Sequence, residues 1–296
     1  MDRTKVIACL TVLSATLLAS CAHNQHQLTV GSKNFTEQVI LGEIVAQHLE
    51  NRLHTEVTRH LNMGGTLLVH QAIVNGELDV YPEYTGTALM AILKIRMTAD
   101  APTIRERVHD VYNDSLRLDW LPSLGFNNTF AMVVRKDTAD KLKLTTLTDA
   151  ENSKEEWQLG VGYEFQERPD GASAFNSTYH LKTNGSAATM DLGLLYKALQ
   201  QKQVSMIAAN STDGLLSVEP VKVLQDDRHA FPPYEAALVT RLESEKLYPQ
   251  LKPALEELSG KISDQAMREM NYQVDGKKAP AALVASGFLR QAGLMK

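Results

Sequence analysis

The chain has 296 residues, with 30 lysines and arginines against 35 aspartates and glutamates, a formal net charge of −5 and 44 % hydrophobic residues. This mildly acidic balance carries no basic run, which excludes the usual electrostatic footprint of a nucleic-acid binder. The length suits one large or two medium α/β domains and supports a core without covalent staples.

Arg3 and Lys5 open a short basic segment, an apolar run extends from Val6 to Leu18, and Leu18-Ala19-Ser20-Cys21 closes it. The run is too short to span a bilayer comfortably and ends in small residues, the pattern of a secretory signal peptide. Leu-Ala-Ser-Cys resembles the lipobox of bacterial lipoproteins. Residues 1–21 then form a lipoprotein signal peptide, with Cys21 as the lipidated residue and membrane attachment through its acyl chains. An ordinary signal peptide with an incidental cysteine, or an uncleaved anchor helix, are the alternatives. Cys9 falls in the removed segment, so the folded body has no thiol for a disulfide, a zinc site or a nucleophile. Loss of Asp2, Arg3 and Lys5 leaves 28 basic against 34 acidic residues and a charge of −6. Residues 22–27 are polar and read as a tether, and no later apolar stretch approaches the roughly 20 residues of a membrane span.

Leu28 to Gly31 reads as a short buried strand. A helix follows from Thr36 to Arg52, with Glu37 in its first turn and Val39, Ile40, Ile44, Val45 and Leu49 at helical spacing. Val57 centres a second strand, Gly64-Gly65-Thr66 opens a helix that ends at Asn75-Gly76, and Leu78 to Tyr81 is a third strand. This alternation implies crossovers and a parallel sheet. Helices are expected over Thr85 to Leu93 and Thr103 to Leu116, and a strand over Thr129 to Val134. A second α/β set has strands at Gln158 to Val161, Val204 to Ala208 and Val221 to Leu224, with helices at Ser173 to Tyr179 and Ala188 to Gln200. An extended stretch at Ala236 to Thr240 precedes helices at Glu243 to Leu258, Ser263 to Tyr272 and Pro280 to Leu289. The junctions near Phe126 to Phe130 and Phe231 to Tyr234 suggest a chain that leaves its first lobe and returns to it. Ligand would sit between the lobes, outside the carboxyl ends of strands.

Three segments carry a family resemblance: Val30-Gly31-Ser32-Lys33-Asn34-Phe35-Thr36-Glu37-Gln38, Gly76 to Thr87 (GELDVYPEYTGT), and Leu124 to Ala131 (LGFNNTFA). Glu164-Phe165, Arg168-Pro169-Asp170-Gly171, Ser211-Thr212-Asp213-Gly214 and Asp226-Asp227-Arg228-His229 continue it along the chain. Together they resemble the substrate-binding proteins of osmoprotectant ABC importers for glycine betaine, choline and carnitine. The resemblance implies an α/β, type II periplasmic-binding-protein fold: two Rossmann-like lobes joined by two crossover segments. Lobe I would take residues 28–128 and return over 234–296 with the C-terminal helices, and lobe II residues 129–233. It implies an extracytoplasmic monomer, in the periplasm or on the outer face of the cell membrane. Its partners would be a quaternary-ammonium solute and a permease with its ATP-binding subunits. It implies no cofactor, no metal and no catalytic residue.

A quaternary ammonium has no N–H to donate, and its diffuse charge is best held on aromatic faces, worth about 2 kcal/mol or more when desolvated. The resemblance places Tyr84 and Tyr234 on cage positions and Phe130 where relatives carry Tyr, a change that keeps the π face. Asn210 replaces another cage Tyr, which opens one wall, with Tyr163 or Phe231 available to fill it. Arg168 matches the carboxylate-binding arginine of the family, and Lys33, Gln38, Thr87 and Asn128 match polar contact positions. Thr87 and Arg168 lean toward a carboxylate-bearing betaine. Bland alternatives stand beside these roles: a Tyr is commonly a core residue, Arg168 could pair with Glu164 or Asp170, and Tyr81 reads as structural. Gly64-Gly65 is a helix entry rather than a phosphate cradle, since no Lys-Ser/Thr follows.

Rival functions are weaker. No His-Glu-x-x-His or Gly-x-Ser-x-Gly is present, which disfavours an enzyme. His48, His54, His60 and His70 lack ligand-like spacing and read as surface residues. The same fold binding ergothioneine or an amino acid is the remaining alternative, given Asn210.

Overall fold

The computed structural model describes residues 27–96 and 99–295. Two five-stranded sheets organise it. The first contains β1 (Thr29–Gly31), β2 (Thr58–His60), β3 (Val80–Tyr84), β4 (Leu118–Trp120) and β10 (Ala236–Arg241) in the order β2-β1-β3-β10-β4. The second contains β5 (Phe130–Arg135), β6 (Leu159–Val161), β7 (Ala188–Thr189), β8 (Met206–Asn210) and β9 (Val221–Leu224) in the order β7-β6-β8-β5-β9. The plan is the same in both. Three strands are parallel, and the fourth position holds a strand antiparallel to both neighbours, β10 in one sheet and β5 in the other.

Each antiparallel strand is the one that arrives from the opposite lobe. The arriving segments run side by side: Asn127 bridges Glu235, the Asn128 amide donates to the Tyr234 carbonyl at 3.0 Å and the Ala236 amide to Phe126 at 3.1 Å. The two crossings therefore form one antiparallel ribbon between the lobes.

Local chemistry explains the elements that position the cavity. The Thr36–Leu53 helix buries Ile40, Leu41, Ile44, Val45 and Leu49 as one stripe, and ends where His54 turns left-handed (φ 50°) and donates its amide to Glu50. The Thr66–Asn75 helix stops at Gly76, whose φ of 83° suits a glycine and whose amide donates to the Ala72 and Ile73 carbonyls. Tyr81, fully buried beside Val69, Ile73, Tyr112 and Trp120, belongs to a hydrophobic cluster on one side of the first sheet. Trp157, Phe165, Phe175 and Tyr179 anchor the second lobe.

Several sequence expectations need correction. Ala188–Thr189 is a strand paired with Gly160 and Val161, and the helix begins only at Leu192, because the Met190 amide still donates to Val161. The helix expected over Glu243 to Leu258 is two, Leu242–Leu247 and Leu251–Glu256, separated at Tyr248-Pro249. Proline lacks the amide that would continue the ladder and pushes the preceding residue out of helical backbone. The helix expected over Thr85 to Leu93 starts as a turn at Thr85–Thr87 and widens to π geometry over Ala88–Ile92. β4 and the helices Lys136–Leu142, Leu147–Asn152 and Tyr163–Glu167, which no periodicity announced, complete the lobes. His54 and His60 are exposed, but His48 is buried, with its Nε2 2.8 Å from the Ala254 carbonyl. His70 is half-buried against Tyr112, and burial holds its pKa down at about 4.

Trp157 is 1 % exposed and donates its indole N–H to Ala150 at 3.2 Å. Trp157→Ala should cost about 3–5 kcal/mol, read as a lowered urea midpoint, with near-normal stability sinking this account of the second lobe's core.

Candidate ligand-binding site

A cavity of about 560 Å³ lies between the lobes, at the rim where β3 and β8 end and β5 and β10 begin. Because β5 and β10 run antiparallel to their neighbours, their amino ends meet the carboxyl ends of β3 and β8. Tyr84 is the last residue of β3, Asn210 the last of β8 and Phe130 the first of β5, and Tyr234 stands just before β10. All four line the cavity. Phe130 and Asn210 are direct partners across the β5–β8 ladder.

The aromatic walls are mutually braced. Phe130 meets Phe165 at a centroid distance of 5.0 Å, Phe231 at 5.5 Å and Tyr234 at 5.8 Å, all edge-on. Phe231 stacks on Phe175 and stands behind Phe130 without lining the cavity, so it does not replace the missing ring at 210. Tyr163 lines the rim and is 56 % exposed. Phe35, absent from the expected site, stacks on Tyr84 at 6.4 Å and adds a wall. Gly86 lets Tyr234 come close: a Cβ there would lie 2.7 Å from the Pro233 carbonyl and 2.8 Å from the Tyr234 ring.

Polar groups sort into two regions. Lys33 pairs with Glu83 at 2.5 Å, with its ammonium 5.2 Å from the centre of the Tyr84 ring. Arg168 grips Asp170 with two nitrogens, donates to Glu164 at 3.2 Å and to the Thr87 hydroxyl at 3.0 Å, and lies 5.2 Å from the Phe130 ring centre and 5.9 Å from that of Tyr234. Burial opposes its charge, but the hydrogen bonds and charge of Asp170 outweigh that and raise its pKa. The Tyr234 hydroxyl donates to the same Asp170 at 2.6 Å. Both partners foreseen for Arg168, Glu164 and Asp170, are thus engaged while the guanidinium still lines the cavity. Gln38 sits beneath the wall, its carbonyl accepting from the Lys33 amide at 3.3 Å, and does not line the cavity.

Opposite lies an acidic region centred on Glu37. Its carboxylate accepts from Tyr84 at 2.6 Å, Asn128 at 2.7 Å, Thr212, and Asn271 at 3.1 Å. Burial raises the pKa of Glu37 despite these donors. Asp213 accepts from the Tyr196 hydroxyl and the Asn210 amide, and burial pushes its pKa up to about 7. The lobes also touch through Glu164, whose carboxylate receives the Thr66 amide and hydroxyl, both at 2.8 Å. Gly65 leaves room for it, since a Cβ there would meet the Glu164 oxygen at 2.4 Å. An acidic group on an N-terminal turn is favourable for the helix dipole as well.

Among the described residues no group of histidines, cysteines and carboxylates could hold a metal ion, and no helix is long and apolar enough to cross a membrane. Phe35, Glu37, Glu164, Asp170 and Asp213 all lie inside motifs that the sequence displays. The contacts of Glu37 with Asn271, of Phe35 with Tyr84, of Glu164 with Thr66 and of Asp170 with Tyr234 have no local signal, because each partner stands far along the chain.

The family model described as "Substrate binding domain of ABC-type glycine betaine transport system" matches residues 26–291. The chain belongs to this family. As a member, it is a non-catalytic, extracytoplasmic component of an ABC importer rather than an enzyme. The "Carnitine transport binding protein OpuCC" of Listeria monocytogenes is 33 % identical over 97 % of this chain and 96 % of its own. The "Ergothioneine transport permease/ergothioneine binding protein EgtU" of Helicobacter pylori is 34 % identical over 99 % of this chain, which spans 54 % of that longer protein. The solved "glycine betaine/carnitine/choline ABC transporter" structure superposes with a TM-score of 0.77 at 31 % identity, covering 91 % of this chain and all (100 %) of that one. The substrate-binding family and its type II periplasmic-binding architecture agree with the paired sheets described above.

The state of Asp213 makes the stability of the unliganded protein pH-dependent. Its folded pKa of about 7 exceeds the ordinary value of 3.8, so between these the folded protein holds a proton that the unfolded chain releases. Its contribution is fully present below 3.8 and is lost as pH rises through about 7. Asp213→Asn should therefore raise the melting temperature relative to wild type more at pH 8 than at pH 4; an equal difference at both would show an ordinary carboxylate.

Proposed function

We propose that this protein captures a quaternary-ammonium solute in the interlobe cavity and delivers it to an ABC permease with its ATP-binding subunits. The convergence of Tyr84, Phe130 and Tyr234, with Phe35 added, on one cavity carries this reading. Aromatic faces are the protein surfaces that attract an ammonium lacking N–H groups. Phe130 and Tyr234 lie within cation–π range of the Arg168 guanidinium, which supports a cation-facing role for these rings. The solutes named for the relatives, glycine betaine, carnitine and ergothioneine, all carry a trimethylammonium group.

Lys33, Thr87 and Arg168 form the donor side, where a ligand carboxylate is received. The Asp170 carboxylate neutralises much of Arg168, so its remaining N–H and the Thr87 hydroxyl act together rather than Arg168 alone as an open fork. Asn128 serves by holding Glu37, and Gln38 by holding the Lys33 backbone. Lobe I is assigned residues 28–128 and 234–296 and lobe II residues 129–233, boundaries that the Asn127–Glu235 bridge supports. Cys21, which lies outside the described residues, is assigned as the lipid anchor that keeps a monomeric binding protein near its permease.

Calorimetry of the mature protein tests the cage. At least one trimethylammonium compound should bind, and Tyr84→Ala or Tyr234→Ala should weaken it at least tenfold. Binding of an uncharged solute alone would overturn the reading. Arg168→Ala should hurt a betaine more than choline, and equal losses would remove Arg168 from carboxylate recognition. Cys21→Ser should move the protein from the membrane fraction to the soluble extracytoplasmic fraction; unchanged membrane association would end the anchor assignment.

A further inference from the structure

Both cage tyrosines give their hydroxyls to buried carboxylates: Tyr84 donates to Glu37 and Tyr234 to Asp170, each at 2.6 Å. That length is typical of a charge-assisted O–H···O⁻ bond. The two carboxylates differ in what else they meet. Asp170 is gripped by two nitrogens of Arg168, so its charge is balanced on the spot. Among the described residues Glu37 meets only neutral donors, Tyr84 and Asn128 on Oε1 and Thr212 and Asn271 on Oε2. Two donors on each oxygen fill the roughly four lone-pair sites of a carboxylate and leave no place for a proton. The surroundings are turned toward this charge at a cost. Asn128 and Asn271 direct their side-chain N–H groups at Glu37, and their own side-chain oxygens are buried without a hydrogen-bond partner among the described residues. Lys33 stands 5.2 Å from the centre of the Tyr84 ring, but its ion pair is with Glu83. Asp213 and Asp275, which line the same cavity, are acids too.

We propose that Glu37 is the counter-charge of the ligand ammonium and acts on it through Tyr84. With 2 % of its surface exposed, Glu37 is almost closed off from a solute, whereas the Tyr84 ring lines the cavity. A phenol that donates to a carboxylate gains negative charge in its ring, and the face of that ring then attracts a cation more strongly. The effect is largest where water is excluded. Phe130 has no hydroxyl, and Tyr234 shares its acid with Arg168, so Tyr84 is the wall most favourable to a cation. A charge placed behind the ring rather than against the ligand also suits trimethylammonium, which has no hydrogen to give a carboxylate. This rests on the quaternary-ammonium reading above and deepens it, by assigning the residue that makes the cavity select a permanent cation over an uncharged group of the same shape. Glu37 is thus a positioning residue, which holds and polarises the ring that the solute touches.

Calorimetry with ligands matched in shape but not in charge tests this. Whichever trimethylammonium compound the protein binds is measured beside the isostere in which carbon replaces the ammonium nitrogen, tert-butylacetate being that isostere for glycine betaine. Wild type should bind the ammonium compound at least tenfold more tightly than its isostere. Glu37→Gln should weaken the ammonium compound at least tenfold and the isostere less than threefold. Tyr84→Phe keeps the ring, removes the hydroxyl and should also lower the preference for the cation. In that background Glu37→Gln should change the preference less than twofold, because the two residues act as one unit. Equal losses for ammonium and isostere in Glu37→Gln would make Glu37 a structural bracket alone and overturn the inference, leaving the cage reading intact. An undiminished Glu37→Gln effect beside Tyr84→Phe would overturn the route through Tyr84. Equal wild-type affinity for ammonium and isostere would overturn it without any substitution, and failure of every trimethylammonium compound would remove the cage reading as well. Circular dichroism melts check that the variants fold; should Glu37→Gln not fold, Tyr84→Phe carries the test, and an unchanged preference there would overturn the inference.

Discussion

Glu37 sits where the protein can least easily accommodate a charge, 2 % exposed at the start of a helix that runs through the core of lobe I. A carboxylate enclosed in this way costs several kcal/mol unless its oxygens are saturated with donors. Four side chains meet that demand, and their origins explain the architecture. Tyr84 comes from the end of β3, Asn128 from the first crossing, Thr212 from the turn after β8, and Asn271 from the C-terminal Asp264–Asp275 helix. One carboxylate thus gathers both lobes, the ribbon between them and the returning chain around the floor of the cavity. Displacing any donor leaves a charge or a lone pair unpaired in a closed space, so the cavity resists partial distortion. The same contact orients Tyr84, whose ring is a wall and whose hydroxyl is the anchor.

Charge is distributed with equal economy on the other side. Four of the five N–H groups of Arg168 are drawn into contacts with Asp170, Glu164 and Thr87, and Tyr234 shares Asp170 with it. Arginine serves here as a bracket that fixes two aromatic walls relative to lobe I, while one of its N–H groups has no hydrogen bond among the described residues. Glu164 extends the bracket by accepting from the first turn of the Thr66–Asn75 helix. The Arg168–Thr87, Tyr234–Asp170 and Thr66–Glu164 links are between lobes, so cavity lining and lobe contact draw on the same side chains.

Much of this was readable in the chain. The two α/β blocks followed from strand–helix periodicity, and the family resemblance singled out Tyr84, Phe130, Tyr234 and Asn210, which the fold brings to one cavity. The hydrogen-bond partner of a buried acid could not be read in that way. Glu37 looks like a first-turn residue matched to a helix dipole, and nothing local indicates that Asn271 will reach it from 234 positions away. His48 shows the same limit from the opposite direction, since its core position depends on a carbonyl at Ala254 in a distant helix. The helix break at Tyr248-Pro249 is of a different kind: its signal is local, a proline, set against apolar spacing that runs on through it.

The placement of β5 and β10 has a consequence for how the molecule comes into being. All strands of the second sheet lie between residues 130 and 224, a contiguous stretch, so this lobe can be assembled as soon as that stretch is available. The first sheet is different: β3 and β4 have nothing between them until β10 emerges from the C-terminal part of the chain. Such a long-range strand insertion is slow to form. An elongating chain therefore leaves the place between β3 and β4 empty, and the first sheet incomplete, until its C-terminal part has been made.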